Sequence, residues 1–272
     1  MLQDHASAEP VPGLQSAASP ILEARGITKR YGHVEALRGV DFAAYPGEVT
    51  ALIGDNGAGK STLVKILSGV TRPTSGEIVI DGRSVSFASP ADAHASGLET
   101  VYQDLSVAQD LSPSANMFMG RELLRPGLLG RLGFLDNPAM RRDSAAAFQR
   151  LKVTLKDMDS PISSLSGGQR QSVAICRAIM WTRRLVFMDE PTAALGVVQT
   201  ARTLELIRRI RDTGVAIVLI SHNMRDVIEV ADTVEVLRLG RRIARIRNDG
   251  ITVQDLVGAM TGALDDATEA TL

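Results

Sequence analysis

The sequence predicts an α/β fold with a mostly parallel central sheet, an antiparallel β subdomain and an inserted helical subdomain. Three short runs are apolar throughout, as strands buried on both faces are: Val49–Ile53, Leu185–Met188 and Val215–Ile220. Each run precedes a segment in which apolar residues recur at helical spacing: Lys60–Leu67, Val197–Arg211 and Met224–Ala231. This repeated strand–helix order is typical of a parallel sheet covered by helices.

Two regions interrupt the strand–helix order. Residues 21–46 and 77–87 have short strand-like runs separated by turn residues, which predicts the antiparallel β subdomain. Residues 104–164 have four prolines between helical pieces and no convincing buried strand, which predicts the helical subdomain. The core then consists of residues 21–103 and 165–246, on either side of the insertion.

The ends of the chain have simpler predictions. Residues 233–246 predict a strand hairpin that turns at Leu239–Gly240, and Thr252–Thr261 predicts a helix within a C-terminal segment, 247–272. We expect an acidic, loose tail at 264–272. We also expect a disordered leader over residues 1–20, which are rich in Ala, Ser, Pro and Gln and have no secretory-signal pattern.

Composition narrows the class of protein. The chain has 272 residues and a formal net charge of −1, so no global field favours nucleic acid, and we predict no nucleic-acid partner. No apolar run reaches bilayer-spanning length. The single cysteine, Cys176, excludes an internal disulfide, and its apolar helical setting predicts a packing role.

The run GDNGAGKST has the spacing of a phosphate-binding loop, and it lies between a predicted buried strand and a helix. Its glycines let backbone amides point at phosphate oxygens, and the helix adds its positive N-terminal end. Lys60 brings a cation to the β and γ phosphates, and the Ser61 hydroxyl is placed to bind Mg²⁺. The predicted ATP and Mg²⁺ site comprises Gly54, Asp55, Asn56, Gly57, Ala58, Gly59, Lys60, Ser61 and Thr62.

Two carboxylates follow the second buried strand, in the run LVFMDEPT. Ligands of open α/β sheets bind at the carboxyl ends of strands, where Asp189 can hold Mg²⁺ through water. Glu190 is the candidate general base for the attacking water, and Pro191 keeps it out of helical geometry. Alone, the pair would be equally consistent with a solvated strand end, but beside a phosphate loop it indicates a hydrolytic site.

The run LSSLSGGQRQSVAICRAIM places two glycines after a serine at the start of a helix. This gives one chain a second cluster of anion-binding amides, whereas one ATP does not need two such clusters from one subunit. The pattern suggests that Ser166, Gly167, Gly168 and Gln169 serve a nucleotide held mainly by a partner chain.

This run resembles the signature of ABC ATPases, with Leu165 through Gln169 in place, and the other motifs follow in the family order over about residues 21–262. The resemblance implies a phosphate-loop NTPase of the ABC type that hydrolyses ATP. It also implies a second ATPase subunit, with two such domains paired head to tail around two ATPs. Since only one set of motifs is present, we expect a dimer, most simply a homodimer.

Three further residues take roles from the resemblance. Tyr31, in KRYGHVEAL, resembles the aromatic residue that stacks on adenine, with core packing as the alternative. Gln103, in VYQDLS, resembles the glutamine that senses γ-phosphate and Mg²⁺. His222, in LISHNM, resembles the histidine that contacts γ-phosphate. With Lys60 and Glu190, Gln103 and His222 form the predicted catalytic group, and Ser61, Gln103 and Asp189 form the predicted metal site.

One position departs from the family pattern. Where the family reads close to S-A-L-D after the glutamate, this chain has Ala193, Ala194, Leu195 and Gly196. The aspartate normally helps communication between the paired sites, so Gly196 puts the tightness of that coupling in doubt.

The stretch SPADAHASGLETVYQDLSVAQDLSPSANMFMGREL resembles monosaccharide importers for ribose, galactose, xylose or fructose. EPTAALGVVQT and LISHNM are most similar to the single-domain branch associated with fructose and related sugars. This implies transmembrane permease subunits, a periplasmic sugar-binding protein as an indirect partner, and a peripheral position on the cytoplasmic face of the inner membrane. The alternatives are a soluble ABC ATPase that acts as a mechanical or regulatory factor, and a module that binds ATP without hydrolysing it.

Two clusters keep open interpretations. Leu111, Met117, Phe118 and Met119 either contribute to a groove for a membrane-subunit helix or belong to the core of the helical subdomain. The arginines at 238, 241, 242, 245 and 247 are expected to form a solvated face that protects a sheet edge.

Overall fold

The structure, a computed structural model, describes residues 19–155 and 157–263. The acidic tail and nearly all of the predicted leader therefore lie outside the described residues. The strands are β1 (Leu22–Tyr31), β2 (Val34–Ala44), β3 (Val49–Ile53), β4 (Ser75–Ile80), β5 (Arg83–Val85), β6 (Leu98–Val101), β7 (Leu185–Asp189), β8 (Ala216–Ile220), β9 (Thr233–Arg238) and β10 (Arg241–Arg247). The helices are α1 (Lys60–Leu67), α2 (Pro90–Ala95), α3 (Pro113–Met117), α4 (Leu128–Arg131), α5 (Asn137–Arg150), α6 (Gly167–Trp181), α7 (Val197–Arg211), α8 (Met224–Val230) and α9 (Val253–Thr261).

The central sheet has six strands in the order β10-β9-β3-β8-β7-β6. All neighbouring pairs from β9 to β6 are parallel, and only the β10–β9 pair is antiparallel. The three apolar runs become β3, β7 and β8 in the middle of the sheet, where every residue of β3 and β8 is buried. Their burial on both faces confirms the prediction made from their uninterrupted apolar sequences.

Alternate residues of these strands enter two separate apolar layers. Val186 and Met188 of β7 pack in a core with residues of α5, α6, α7, α8 and α9, whereas Leu185 and Phe187 pack with α1 and residues of β1 and β2. This alternation follows from the two-residue period of a strand. The sheet is therefore covered by helices on one face, and by α1 and the second sheet on the other.

The second sheet is antiparallel and has the order β2-β1-β4-β5. Its main pair, β1 and β2, is joined by a short turn at Gly32 and His33 and has several register shifts. These strands confirm the sequence-based expectation for residues 21–46 and 77–87. The division into a core, a β subdomain and a helical subdomain remains our inference from these elements.

The segment between β6 and α6 contains helices α3, α4 and α5 and a short 3₁₀ turn at Ile162–Ser164. Met117 and Phe118 are buried in its packed interior, and the Phe118 ring contacts the Trp181 ring edge-to-face at 5.6 Å. For these two residues the groove interpretation is therefore wrong and the core interpretation is confirmed. Leu111 and Met119 are exposed.

Within the described residues, the helices lack the length and apolar character that a membrane crossing requires. Cys176 is fully buried in α6, as its apolar setting predicts, and burial raises the pKa of its thiol to about 12.

The edge strand β6 was not apparent from the sequence. It has only four residues, and the sequence LETV places Glu99 among them. Glu99 is nevertheless buried, because Arg121 Nη2 lies 2.8 Å from its carboxylate and His94 Nδ1 lies 3.0 Å from it. A charged residue in a strand this short conceals the apolar pattern, and its partners come from α2 and from the segment after α3.

The β9–β10 hairpin turns at Leu239–Gly240 as predicted, but its arginines do not all form a solvated face. Arg245 Nη1 lies 3.3 Å from the carboxylate of Glu235, and Arg242 Nη1 lies 3.8 Å from it. Glu235 itself is fully buried on β9, and neither of its carboxylate oxygens has a hydrogen-bond partner among the described residues. Burial raises its pKa to about 7, against the opposing effect of Arg242 and Arg245.

Glu235 should make the stability of the protein depend on pH. Its folded-state pKa of about 7 exceeds the ordinary value of 4.5, so the folded protein retains a proton that the unfolded chain releases. Protonated Glu235 therefore contributes to the free energy of unfolding at low pH, and this contribution is lost as the pH rises from 4.5 through about 7. Glu235→Gln should raise the free energy of unfolding by roughly 3 kcal/mol at pH 8 and by little at pH 5.

Chemical denaturation at the two pH values measures this difference. Glu229→Gln is the control, because Glu229 is an exposed glutamate paired with Arg208 and should give a small change at both pH values. A gain for Glu235→Gln that is equal at pH 5 and pH 8 would contradict the titration assigned to Glu235.

Candidate functional site

Four loops that carry predicted site residues meet at the carboxyl edge of the central sheet. Gly54 follows β3 directly and Glu190 follows β7 directly, whereas Gln103 and His222 each lie two residues beyond the ends of β6 and β8. The strands β3, β8, β7 and β6 are consecutive neighbours and run parallel. Their ends therefore bring all four residues to one edge, where open α/β sheets bind their ligands.

The phosphate loop curls tightly between β3 and α1. Gly54 has φ +147°, and a Cβ added to it would lie 2.1 Å from the Leu237 carbonyl oxygen of β9. Gly59, with φ +105°, is the N-cap residue of α1, and an added Cβ there would lie 2.9 Å from the Ala36 carbonyl oxygen. Both positions require glycine because a neighbouring strand approaches the loop backbone closely.

Lys60 is held inside the curl of the loop. Its Nζ donates hydrogen bonds to the carbonyl oxygens of Gly54 at 2.6 Å and Asp55 at 2.9 Å. Burial lowers the pKa of Lys60, while Glu190, Asp55 and Asp189 act in the opposite direction. The loop thus holds a partly desolvated ammonium group, suited to attract a phosphate.

The Glu190 carboxylate is fixed by its backbone and by a histidine. Glu190 has φ +50°, and its N–H donates to the Ile220 carbonyl oxygen at 2.9 Å, which ties it to the end of β8. His222 Nδ1 lies 2.8 Å from Glu190 Oε1. The glutamate side chain is 14% exposed and the histidine side chain 76% exposed. The Glu190 carboxylate is therefore largely buried at the sheet edge, and the His222 imidazole lies between it and solvent.

Asp189 adds a second carboxylate beside Glu190. Burial and then the charge of Glu190 raise its pKa, whereas Lys60 lowers it. Asp189, the Ser61 hydroxyl and the Gln103 amide carry oxygen atoms, the type of ligand that Mg²⁺ prefers. A carboxylate whose charge is disfavoured by burial gains stability from a cation, so this donor set fits Mg²⁺. Within the described residues no three His, Cys, Asp or Glu side chains form a cluster suited to a metal.

Tyr31 ends β1 and is 49% exposed, which contradicts the core-packing alternative. Lys29 Nζ lies 5.1 Å from the ring centroid. Lys29 and Tyr31 lie two residues apart, on the same face of a strand. The contact between them could therefore have been predicted from the sequence. An exposed ring beside a cation can accept a stacked base, and adenine stacking stays a prediction.

The signature residues lie at the start of α6 and cap that helix. Ser166 Oγ accepts from the Gln169 N–H at 3.3 Å, and Gln169 Oε1 accepts from the Ser166 N–H at 3.0 Å. Ser166, Gly168 and Gln169 line a cleft of about 750 Å³ together with residues along α7 and residues 152–154. In the part of the chain that the structure describes, no hydrogen bond joins these residues to the phosphate loop. The signature therefore forms a surface separate from the phosphate loop.

Residues 37–193 match the model of a protein family described as "ABC transporter". The chain belongs to the ABC transporter family. Its match to that family includes the phosphate loop, the signature and the Asp189–Glu190 pair.

Curated relatives of the chain are ATP-binding subunits of sugar importers. The chain is 48% identical to the fructose import ATP-binding protein FrcA of Rhizobium meliloti, over 93% of this chain and 98% of that protein. It is 41% identical to the xylose/arabinose import ATP-binding protein XylG of Sulfolobus acidocaldarius, over 89% and 94%. The ribose import ATP-binding protein RbsA 2 of Escherichia coli O157:H7 is 42% identical, and the chain covers 47% of its length.

Solved ATP-binding cassettes of ABC transporters share the fold. One in its ADP conformation superposes with a TM-score of 0.76 at 23% identity, covering 93% of this chain and 100% of that one. The Clostridium perfringens protein cbiO1, described as part of an ABC transporter complex, gives 0.73 at 24% identity, over 92% and 96%. The predicted phosphate-loop NTPase fold of the ABC type is confirmed, and the chain is an ATP-binding ATPase of this family.

Replacing Gly54 should damage the phosphate loop more than replacing Gly57. A Cβ at Gly54 overlaps a backbone carbonyl of β9, whereas a Cβ at Gly57 meets no atom within 4 Å. Gly54→Ala should lower the free energy of unfolding by roughly 3 kcal/mol or more and abolish binding of a fluorescent ATP analogue. Gly57→Ala, strained only by its positive φ, should lose roughly 1–2 kcal/mol.

Denaturation curves and nucleotide titrations of the two variants provide this measurement. Equal losses of stability for the two alanines would contradict the role given to the contact between Gly54 and Leu237.

Proposed function

We propose that the chain is the ATPase subunit of a monosaccharide importer and works as a homodimer with two composite ATP sites. The observation that carries the proposal is the arrangement of its two anion-binding surfaces. The phosphate loop lies at the sheet edge with Glu190 and His222, while Ser166–Gln169 face a separate cleft. A head-to-tail pair would place the second surface of each chain on the nucleotide of the other.

The roles of the residues follow from their positions. The amides of residues 54–62 and the Lys60 ammonium would hold the β and γ phosphates, and the exposed Tyr31 ring would stack on adenine. Ser61, Gln103 and Asp189 would hold Mg²⁺, which neutralises phosphate charge when bound. The partner's nucleotide would meet Ser166, Gly167, Gly168 and Gln169 at the start of α6.

Glu190 would act as the general base. A water oxygen forms a bond to the γ-phosphorus, the bond from that phosphorus to the bridging oxygen of ADP breaks, and the water proton passes to Glu190. His222 is within hydrogen-bond distance of Glu190 and exposed enough to reach the γ-phosphate. It would orient the carboxylate and stabilise the charge on the transferred group.

The sugar-import part of the proposal rests on the relatives. The fructose, xylose/arabinose and ribose import proteins share 41–48% identity with this chain. An importer of this kind needs transmembrane permease subunits and, indirectly, a periplasmic sugar-binding protein. The chain would then lie on the cytoplasmic face of the inner membrane, in contact with the permease.

An exposed apolar arm, residues 123–136, supports contact with a permease. The Leu124–Leu135 bridge joins its two ends, and α4 lies at its tip. Its exposed apolar residues are Leu124, Leu128, Leu129, Leu132, Phe134 and Leu135. An apolar patch of this density in so short a segment is typical of an interaction site. Arg125 and Arg131 form no ion pair with any described residue, which favours an apolar partner segment with acidic ends.

Glu190→Gln should retain ATP binding and lose turnover, because the amide keeps the shape of the carboxylate and cannot accept the proton. We expect kcat to fall by roughly 100- to 10,000-fold. ATP should also shift the variant to a dimer, since the composite site closes and hydrolysis no longer opens it. Phosphate release and size-exclusion chromatography with light scattering measure the two effects.

Glu229→Gln is the matched control, because Glu229 lies on the exposed side of α8, paired with Arg208. Turnover of Glu190→Gln at the native rate would exclude Glu190 as the base. Loss of turnover without ATP-dependent dimerisation would instead exclude the composite site.

Changes in the apolar arm should weaken capture of the permease and leave ATPase activity intact. Leu128→Asp with Leu132→Asp places two charges in the exposed patch, which an apolar partner surface cannot accommodate. Pull-down of the tagged chain from solubilised membranes, with mass spectrometry of the bound proteins, should show loss of integral-membrane permease subunits. Val257→Asp, at a half-exposed position of α9, is the control and should retain them. Equal capture by both variants would contradict the assignment of the arm.

A further inference from the structure

The side chain of Gln199 lies against two glycines from different segments. A Cβ added to Gly168, in the signature, would lie 2.8 Å from Gln199 Cγ and 3.1 Å from Gln199 Cβ. A Cβ added to Gly196 would lie 2.9 Å from Gln199 Oε1. The two methylene groups of Gln199 therefore cover Gly168, and its amide oxygen occupies the space where a side chain at position 196 would start.

Gly196 is not required by its backbone conformation. It is the N-cap residue of α7 with φ −73° and ψ 164°, an extended conformation that any residue adopts. Serine, threonine, asparagine and aspartate are the usual residues there because their oxygens accept from the first amides of the helix. No side chain caps α7, so the helix lacks this stabilisation. The amide of Gln199 fills the space that a capping side chain at position 196 would occupy.

Hydrogen-bonded turns connect Glu190 to Gln199. The Ala193 N–H donates to the Glu190 carbonyl oxygen at 3.1 Å, and the Leu195 N–H donates to the Thr192 carbonyl oxygen at 3.3 Å. The Thr200 N–H then donates to the Gly196 carbonyl oxygen at 2.9 Å, in the first turn of α7. A short hydrogen-bonded segment thus runs from Glu190, the proposed general base, to Gln199, which contacts the signature.

We propose that Gln199 is a positioning residue that holds the signature to the loop that begins at Glu190. The inference rests on the proposed composite site, in which one chain applies Glu190 to its own nucleotide and Ser166–Gln169 to that of its partner. Because Gln199 joins the two segments by direct packing, closure of the signature on one ATP moves the loop that serves the other. Gln199 thereby links the signature to the loop that begins at Glu190, and its amide occupies the space left by the missing side chain at position 196.

Substitutions at Gln199 separate its packing from its amide. Gln199→Ala removes the Cγ methylene that lies over Gly168 and the amide beside Gly196, and retains only Cβ. Gln199→Met keeps an unbranched apolar stem over Gly168 and replaces the amide. We expect kcat to fall roughly three- to thirtyfold for Gln199→Ala, as expected when packed elements lose their coupling. Gln199→Met should recover most of that loss.

Two further measurements exclude a merely structural effect. ATP binding by the isolated chain, followed with a fluorescent analogue below the concentration at which dimers form, should be unchanged in Gln199→Ala. Its Tm should also match that of Gln149→Ala, the control, in which an exposed glutamine of α5 is replaced in the same way. A lower kcat, with the ATP affinity of the monomer unchanged and Tm equal to that of the control, would show that Gln199→Ala impairs a step that occurs only in the dimer.

Gly196→Asp gives a second, independent test. An aspartate at this N-cap position should raise Tm because it caps α7, yet it displaces the Gln199 amide and should lower kcat. Stability and activity should therefore change in opposite directions. In the double variant Gly196→Asp with Gln199→Ala, the loss of kcat should be smaller than the product of the two single effects, because both changes break the same contact.

Dimer trapping in the Glu190→Gln background distinguishes failure of this inference from failure of the composite site. Without ATP-dependent dimerisation in that background, the composite site itself is excluded. If Glu190→Gln does form dimers, the double variant Glu190→Gln with Gln199→Ala is compared with it. The role of Gln199 is overturned if both dimerise at the same ATP concentration and the single Gln199→Ala variant has an unchanged kcat. A severalfold higher ATP requirement for dimerisation is the expected result.

Discussion

The parallel pairing of β8 with β3 on one side and β7 on the other is the constraint on which the site depends. These three strands are the apolar centre of the sheet, and β3 and β8 are buried on both faces. Because they run the same way, the loops after them meet at one edge. The hydrogen bond from the Glu190 N–H to the Ile220 carbonyl oxygen extends this pairing by one residue into the site.

Charge at that edge is arranged around a partly buried cation. Lys60 lies between loop carbonyl groups and feels the carboxylates of Glu190, Asp55 and Asp189, while burial works against its charge. Burial likewise works against the charge of Asp189, and the charge of Glu190 adds to this effect by raising the pKa of Asp189 further. Bound phosphate and metal would satisfy both groups. This explains how an α/β core otherwise stabilised by apolar packing keeps such a charge cluster.

Close approach of backbone and side chains accounts for Gly54 and Gly59 of the phosphate loop and for Gly168 of the signature. Gly54 and Gly59 are fixed by carbonyl oxygens of neighbouring strands, so the phosphate loop is shaped from outside as much as by its own sequence. Gly168 is covered by Gln199 instead. The two segments thus have different supports: the phosphate loop packs against the backbone of neighbouring strands, and the signature packs against a side chain of helix α7.

The sequence alone determined the α/β class, the three central strands, the hairpin, the final helix and the motif residues, since each leaves a local pattern of apolar periodicity or fixed spacing. It also placed the family, because the motifs occur in one order along the chain. Only the tertiary structure revealed β6 with its buried Glu99, the burial of Met117 and Phe118, the buried carboxyl group of Glu235, and the contacts of Gln199. In each case the deciding partner is distant in sequence: Glu99 is paired by Arg121, and Gly168 is covered 31 residues later along the chain. Local periodicity carries no record of such partners, because they meet only when the sheet and its helices pack together.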